Sequence, residues 1–222
     1  MRTLAIGDIH GCHTALVTLL DRVKPTKDDQ LIFLGDYIDR GPASRQVIET
    51  LLSLKQTGST IFLRGNHEEM ILMARKTPTK SHSWQNCGGL ETLISYAAND
   101  RADWVSLIPD SHWEFFERNT SFFETETDIF VHGCVDPELD MNEQSEWGLL
   151  WQSFPQLRQP HRSGKRVVCG HTVQNSGQPA NIGFAVCIDT GAAYGNWLTC
   201  LDSISGKYWQ ANEAGKTREG QL

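Results

Sequence analysis

The chain has 222 residues, 39% of them hydrophobic and 21% charged, and its 27 acidic against 20 basic side chains give a formal net charge of −7. This balance fits a folded domain with a sizeable core and excludes a disordered, collagen-like or low-complexity chain. It also lacks the basic footprint of a dedicated nucleic-acid binder, so no nucleic-acid polymer is expected as partner, whereas an acidic chain suits a protein that holds cations.

Arg2 interrupts the N-terminus before any apolar run develops, unlike a signal peptide, and no run approaches the ~20 apolar residues that span a bilayer. A cytoplasmic protein with no membrane partner is expected. Thr3–Ile6 is a short apolar run that stops at Gly7-Asp8. Leu16, Leu19, Leu20 and Val23 then recur at helical spacing until Pro25 blocks continuation. Residues 31–34 read as a second strand, ending at Gly35-Asp36. Pro42 opens a helix whose inner face carries Val47, Ile48, Leu51 and Leu52 and which Gly58 closes. Residues 60–63 read as a third strand, ending near Gly65-Asn66.

The first third is therefore β-α-β-α-β, with the near-continuous apolar strands of a parallel sheet covered by helices. The middle third reads as helical over 89–98 and 111–118, around Trp84, Trp104 and Trp113. Strands return at 129–132, 166–169, 184–189, 198–202 and 207–210, and are expected to form an antiparallel or mixed sheet facing the first. One domain over 1–210 is expected, followed by a polar tail, 211–222, that frays. The six cysteines are scattered without a C-x-x-C pair, which reads as reduced, buried thiols.

The chemistry concentrates where strands end. In α/β sheets, ligands bind beyond the carboxyl ends of the strands. Asp8, His10, Asp36, Asp39, Asn66, His67, His132 and His171 all follow apolar runs, and most touch a glycine. Carboxylate, amide oxygen and imidazole suit divalent first-row metals such as Mn, Fe, Zn or Ni, and no thiolate joins them. The ligand count exceeds the need of one ion. Two ions sharing a carboxylate would account for it, and such a pair serves in-line displacement at phosphorus.

Three segments, Gly7-Asp8-Ile9-His10-Gly11, Gly35-Asp36-Tyr37-Ile38-Asp39-Arg40-Gly41 and Gly65-Asn66-His67-Glu68, resemble the GDxHG, GDxxDRG and GNHE signatures of the PPP phosphoprotein phosphatases, within the calcineurin-like metallophosphoesterases. Val131-His132-Gly133 and Gly170-His171-Thr172 resemble the two later histidine motifs, and Ile188-Asp189-Thr190-Gly191-Ala192 a further bacterial-type signature. The likeness runs from residue 3 to about 202. It implies an α/β fold, a sandwich of two mixed sheets flanked by helices around the βαβαβ core, with two divalent ions, Mn foremost.

Carried over by position, the resemblance assigns Asp8 and His10 to the first ion, Asp36 to both, and Asn66, His132 and His171 to the second. It makes His67 the acid that protonates the leaving alkoxide, oriented by Asp39, and sets Arg40, with Asn66, on the substrate phosphate. A poor leaving group needs such an acid, and arginine offers a planar fork for phosphate. Asp39 also reads as a simple partner of Arg40, and Glu68 as a structural carboxylate. One departure stands out. The relatives place a second phosphate-binding arginine just after an apolar-Trp pair, but here Leu150-Trp151 is followed by Gln152-Ser153. Arg158, His161 and Arg162 are the candidate replacements.

The leading expectation is hydrolysis of phosphoserine or phosphothreonine, with phosphotyrosine as an extension, on a phosphoprotein or small phosphorylated substrate. The alternative is symmetrical hydrolysis of dinucleoside polyphosphates such as diadenosine tetraphosphate. A scaffold that has lost catalysis is disfavoured, because every motif residue is intact.

Overall fold

The computed structural model describes residues 1–54, 59–99 and 101–222. The chain opens with β1 (Thr3–Ile6), α1 (His13–Val23), β2 (Gln30–Phe33), α2 (Ser44–Leu54) and β3 (Thr60–Phe62). The three strands pair in parallel, with Leu4 opposite Leu31 and Ile32 opposite Ile61. The expected β-α-β-α-β unit is present; Gly58, expected to close α2, lies outside the described residues.

Alternation along the strands builds two layers of core. Leu4, Ile6, Leu31 and Phe33 pack with α1 and α2, while Ala5 and Ile32 face a second sheet. Helix α1 buries Ala15, Leu16, Leu19 and Val23; each of the larger aliphatic side chains contributes about 1.5–3 kcal/mol. Its end is set by Lys24, left-handed at φ 48°, whose N–H reaches the Leu20 carbonyl just before Pro25.

The middle third is α3 (Asn66–Lys76), α4 (Pro78–Trp84), α5 (Leu90–Ser95), α6 (Trp104–Leu107) and α7 (Asp110–Glu117). Helices α5 and α7 occupy the two expected segments; α3, α4 and α6 are additional. Helix α3 has a physical reason to be hidden in sequence. Its first turn buries the polar residues Asn66, His67 and Glu68, so the apolar periodicity is lost.

The last third holds β4 (Phe122–Glu124), β5 (Asp128–Val131), α8 (Glu146–Trp151), β6 (Arg166–Cys169), β7 (Ala180–Asn181), β8 (Ala185–Cys187), β9 (Leu198–Asp202), β10 (Lys207–Ala211) and β11 (Thr217–Gln221). Two mixed sheets result, a six-stranded β11-β10-β9-β1-β2-β3 and a five-stranded β4-β5-β6-β8-β7. Ile32, Leu34 and Leu63 from one meet Phe130, Val168, Val186 and Ile188 from the other.

Two expectations change. Strands β9 and β10 do not join the facing sheet: β9 pairs antiparallel with β1 and extends the first. The polar tail does not fray over 217–221, where β11 pairs along β10 from Thr217 opposite Ala211 to Gln221 opposite Lys207. An exposed edge strand needs no apolar face, so its sequence carries no strand pattern. Side-chain ties hold it, including Arg218 Nε donating to Gln210 Oε1 at 2.6 Å and the Arg218 guanidinium 4.3 Å from the Trp197 ring centroid. All six cysteines are free, five buried and Cys87 exposed. Among the described residues no helix is long and apolar enough to cross a membrane.

Candidate metal centre

The parallel strands of both sheets deliver their ends to one rim. Asp8 follows β1, Asp36 follows β2, and Asn66 and His67 open α3 just after β3. His132 follows β5, and His171 follows β6. All six predicted ligands therefore lie in one neighbourhood. Two groups of potential ligand atoms share Asp36: His10, Asp36 and His67 in one, Asp36, His132 and His171 in the other. Asp36 Oδ2 lies 3.3 Å from His10 Nε2, and Asp36 Oδ1 lies 3.4 Å from His132 Nε2.

The hydrogen bonds fix the tautomers. His10 Nδ1–H donates to the Ile38 carbonyl at 2.9 Å, His132 Nδ1–H to Leu34 at 3.0 Å, and His171 Nε2–H to Trp151 at 3.1 Å. The opposite nitrogen of each ring thus presents a lone pair to the centre. Asn66 Oδ1 stands 2.9 Å from His132 Nε2 and 3.0 Å from His171 Nδ1. Lone pairs facing lone pairs at such distances are what a cation between them would organise, so the residues fit a divalent metal. Burial pushes the pKa of His10 well down, that of His132 down to about 4 and that of His171 down, keeping all three rings neutral and able to coordinate.

The carboxylates differ in their surroundings. For Asp36, burial is overcome by the facing histidines His132, His67 and His10, and its carboxyl is held below the usual range. Burial pushes the Asp8 carboxyl well up, and the neighbouring charges of Asp189 and Asp36 push it further. Asp8 accepts from the His171 backbone N–H at 3.0 Å and stands apart from the two shared groups. Both carboxylates rest on bare glycine. A Cβ on Gly170 would sit 2.1 Å from Asp8 Oδ1, and one on Gly65 would sit 2.1 Å from Asp36 Oδ1.

The loops that carry these groups are bent into unusual backbone. His10, Asp36, Asp39, Arg40 and His171 all have positive φ, between 46° and 73°. Each such residue costs about 1–2 kcal/mol. Glu68 supplies part of the restraint. It is fully buried and accepts N–H bonds from Asp36, Tyr37 and Gly65 at 2.9, 2.9 and 3.0 Å, tying the second loop to the third. The structural role expected for Glu68 is its role here.

A second constellation adjoins the first. His67 Nδ1–H donates to Asp39 Oδ2 at 2.7 Å, and Asp39 is completely buried. Asp39 Oδ2 also accepts from Trp84 Nε1 at 2.8 Å, and Oδ1 from Thr92 Oγ1 at 2.7 Å. Asp39 is thus a hub for His67 and the middle third, not a partner of Arg40. Burial lowers the His67 pKa, but the Asp36 charge and the Asp39 hydrogen bond outweigh it and hold the ring above its ordinary value. The Arg40 N–H donates to the Gly88 carbonyl at 3.0 Å, so residues 84–92 prop the 39–40 loop. Sequence reasoning missed Trp84 and Thr92, because a single tryptophan or threonine in a helix carries no sign of such a tertiary partner.

Arg40 Nη1 donates to His10 Nε2 at 2.5 Å, and its guanidinium carbon lies 5.5 Å from the Tyr194 ring centroid. Arg40, Gln85, Asn86, Leu90 and Tyr194 line a pocket of about 570 Å³. A larger hollow of about 820 Å³ lies among residues 125–128, 163–166 and 203–204 and contains none of these groups. Of the three candidate replacements for the missing arginine, His161 is buried, with its ring nitrogens on Ser163 Oγ and the Leu139 carbonyl. Arg162 donates to the Glu138 carbonyl and pairs with Asp140, and Arg158 is exposed. Two of the three are thus engaged with the 138–140 loop or with each other's neighbourhood.

Comparison with known proteins fits this geometry. The model of the calcineurin-like phosphoesterase family matches residues 1–178. The chain belongs to that family. A symmetrical bis(5'-nucleosyl)-tetraphosphatase of Burkholderia pseudomallei is 32% identical over 137 residues, 62% of this chain and 43% of the relative, so the match spans less than half of that relative's length. A cold-active protein-tyrosine phosphatase from a psychrophilic Shewanella superposes with a TM-score of 0.71 at 16% identity, covering 99% of this chain and 80% of that one. A protein serine/threonine phosphatase from Saccharomyces cerevisiae gives 0.66 at 16% identity, covering 100% and 80%. Those two likenesses concern the fold. The chain is a phosphoesterase-family member with candidate ligands for divalent metal.

Proposed function

We propose that the chain is a dinuclear-metal hydrolase acting on dinucleoside polyphosphates, cleaving diadenosine tetraphosphate symmetrically. The observation that carries this reading is the pocket beside Arg40, where a phosphate-binding guanidinium stands next to the exposed Tyr194 ring. An aromatic face next to a phosphate fork suits a nucleotide, whose base stacks while its phosphates are gripped. The Burkholderia relative's name supports the same substrate class.

In this reading Asp8, His10 and Asp36 hold one ion and Asp36, Asn66, His132 and His171 the other, Mn being the first choice. Two bound ions would supply an acidified water for in-line attack and neutralise the non-bridging oxygens. Arg40, assisted by Asn66, orients the attacked phosphoryl group. His67 gives its Nε2 proton to the departing oxygen as the P–O bond breaks, and Asp39 keeps the ring turned and charged. Free thiols support a cytoplasmic setting.

A second reading, hydrolysis of phosphoserine, phosphothreonine or phosphotyrosine on proteins, is favoured by the His67–Asp39 pair. A serine alkoxide needs a proton donor far more than a nucleotide phosphate does. Rates on diadenosine tetraphosphate and on a phosphopeptide, measured on manganese-loaded protein, separate the two. The first reading requires ADP as the nucleotide product and a higher kcat/KM on the dinucleotide. Faster phosphate release from the peptide reverses the order, and no turnover of either substrate with any divalent metal ends both.

A further inference from the structure

Six parallel strands bring their carboxyl ends to the rim, three from each sheet. Five of those ends carry the ligands assigned above, after β1, β2, β3, β5 and β6. The sixth, after β8, carries Asp189. Asp189 is only 2% exposed. One of its oxygens, Oδ1, accepts from the Gly191 N–H at 3.1 Å, and the other, Oδ2, is buried without a hydrogen-bond partner among the described residues. Its charge acts on Asp8, and both Asp36 and Arg40 act on it in turn.

A buried carboxylate oxygen with no donor is expensive, and a second and third carboxylate beside it make it worse. A local turn requires only Oδ1, because among the described residues the Gly191 N–H is the single donor that Asp189 accepts. The unpartnered oxygen and its company among Asp8 and Asp36 call for a cation. We propose that Asp189 is a further carboxylate of the centre, placed on the Asp8 side, which sets the affinity of that half for its divalent ion. This inference rests on the dinuclear reading above.

The test is manganese binding, followed as free Mn2+ by electron paramagnetic resonance and by calorimetry, on wild type and on Asp189→Asn. Asparagine keeps the Oδ1 that accepts from Gly191 and removes only the charge. The expected result is two ions per wild-type chain and, in the variant, one of the two dissociation constants raised by about 10–100-fold. The metal-free variant should melt no lower than wild type, since a buried charge has been removed from a like-charged cluster. Asp189→Glu, which retains the charge, should keep more of the affinity than the asparagine variant does. Two ions bound with unchanged constants in Asp189→Asn overturn the inference and leave the dinuclear reading standing. Fewer than two ions on wild type overturn both. If Asp189→Asn does not fold, Asp189→Glu decides alone: the ligand role predicts one altered constant, and two unaltered constants reject it.

Discussion

The two sides of the rim satisfy their polar atoms by opposite means. Around Asp39 each carboxylate oxygen has a protein donor: His67 and Trp84 on Oδ2, Thr92 on Oδ1. Around Asp36 and Asn66 side-chain lone pairs also confront one another, with His10 and His132 nitrogens 3.3–3.4 Å from the Asp36 oxygens, beside the donors that the His67 N–H offers Asp36 Oδ1 and Arg40 offers His10 Nε2. The Asp39 side is thus tied by protein donors alone, whereas the Asp36 side keeps facing acceptors that a divalent cation would join. Substitutions on the two sides should therefore separate catalysis from metal loading.

The largest effect is expected from Asp36→Asn, which alters the one carboxylate common to both ligand groups. Hydrolysis should fall by at least about 10³-fold, the equivalent of roughly 4 kcal/mol. Bound ions should stabilise wild type by about 2.7 kcal/mol per site at a hundredfold excess over Kd. That raises Tm by roughly 5–10 °C for a chain of this size. Calorimetry should find most of this rise gone in the variant; a full thermal response would break the comparison on the metal side.

His67→Asn comes next. It should lower kcat by about 10²–10³-fold on substrates with poor leaving groups, and far less on aryl phosphates. Manganese stoichiometry and the thermal rise should be those of wild type. Equal losses on both substrate types would remove His67 from the proton-donor role.

A smaller effect should follow Trp84→Phe, which deletes one hydrogen bond to the buried Asp39 carboxylate. About 1.5–2 kcal/mol is at stake, roughly 10–30-fold in kcat. The alkaline limb of the kcat–pH profile, where the His67 imidazolium loses its proton, should move to lower pH, because a less restrained Asp39 supports the imidazolium less well. A change confined to Tm, with the profile unmoved, would reduce Trp84 to packing.

The smallest prediction is a control away from both sides. Asp29 takes hydrogen bonds from Arg2 and from Thr26, and the Arg2 contact holds its carboxyl well below the usual range despite burial. A depressed folded pKa gives stability that is present above the ordinary carboxylate value near 4 and lost as pH falls below it. Asp29→Asn should therefore remove about 1–2 kcal/mol at neutral pH and flatten the acid side of the stability curve, with kcat/KM unchanged. Urea melts at pH 3.5 and 7 check this.

What the sequence disclosed follows from the same contrast. The candidate ligands at strand ends are legible because three apolar strands point to them, and the motif glycines mark where the backbone turns. The supports of Asp39 are not legible, since Trp84 and Thr92 reach it across 45 and 53 residues of sequence. Helix α3 was hidden by the polar residues of its buried first turn, and β11 by its position at a solvated edge where backbone pairing suffices. Tyr194 gave no signal, because an aromatic residue in a Gly-flanked turn has many uses.

The bare glycines beneath the two carboxylates leave clearance for a hydrogen atom and nothing larger. A methyl group at Gly170 is therefore a wedge against the Asp8 side chain alone, whereas one at Gly65 would also meet the Asp36 backbone nitrogen at 2.3 Å. Neither glycine has positive φ, so the added methyl acts by collision and not through a strained φ. Gly170→Ala is therefore the substitution that displaces Asp8 while leaving every candidate ligand chemically intact.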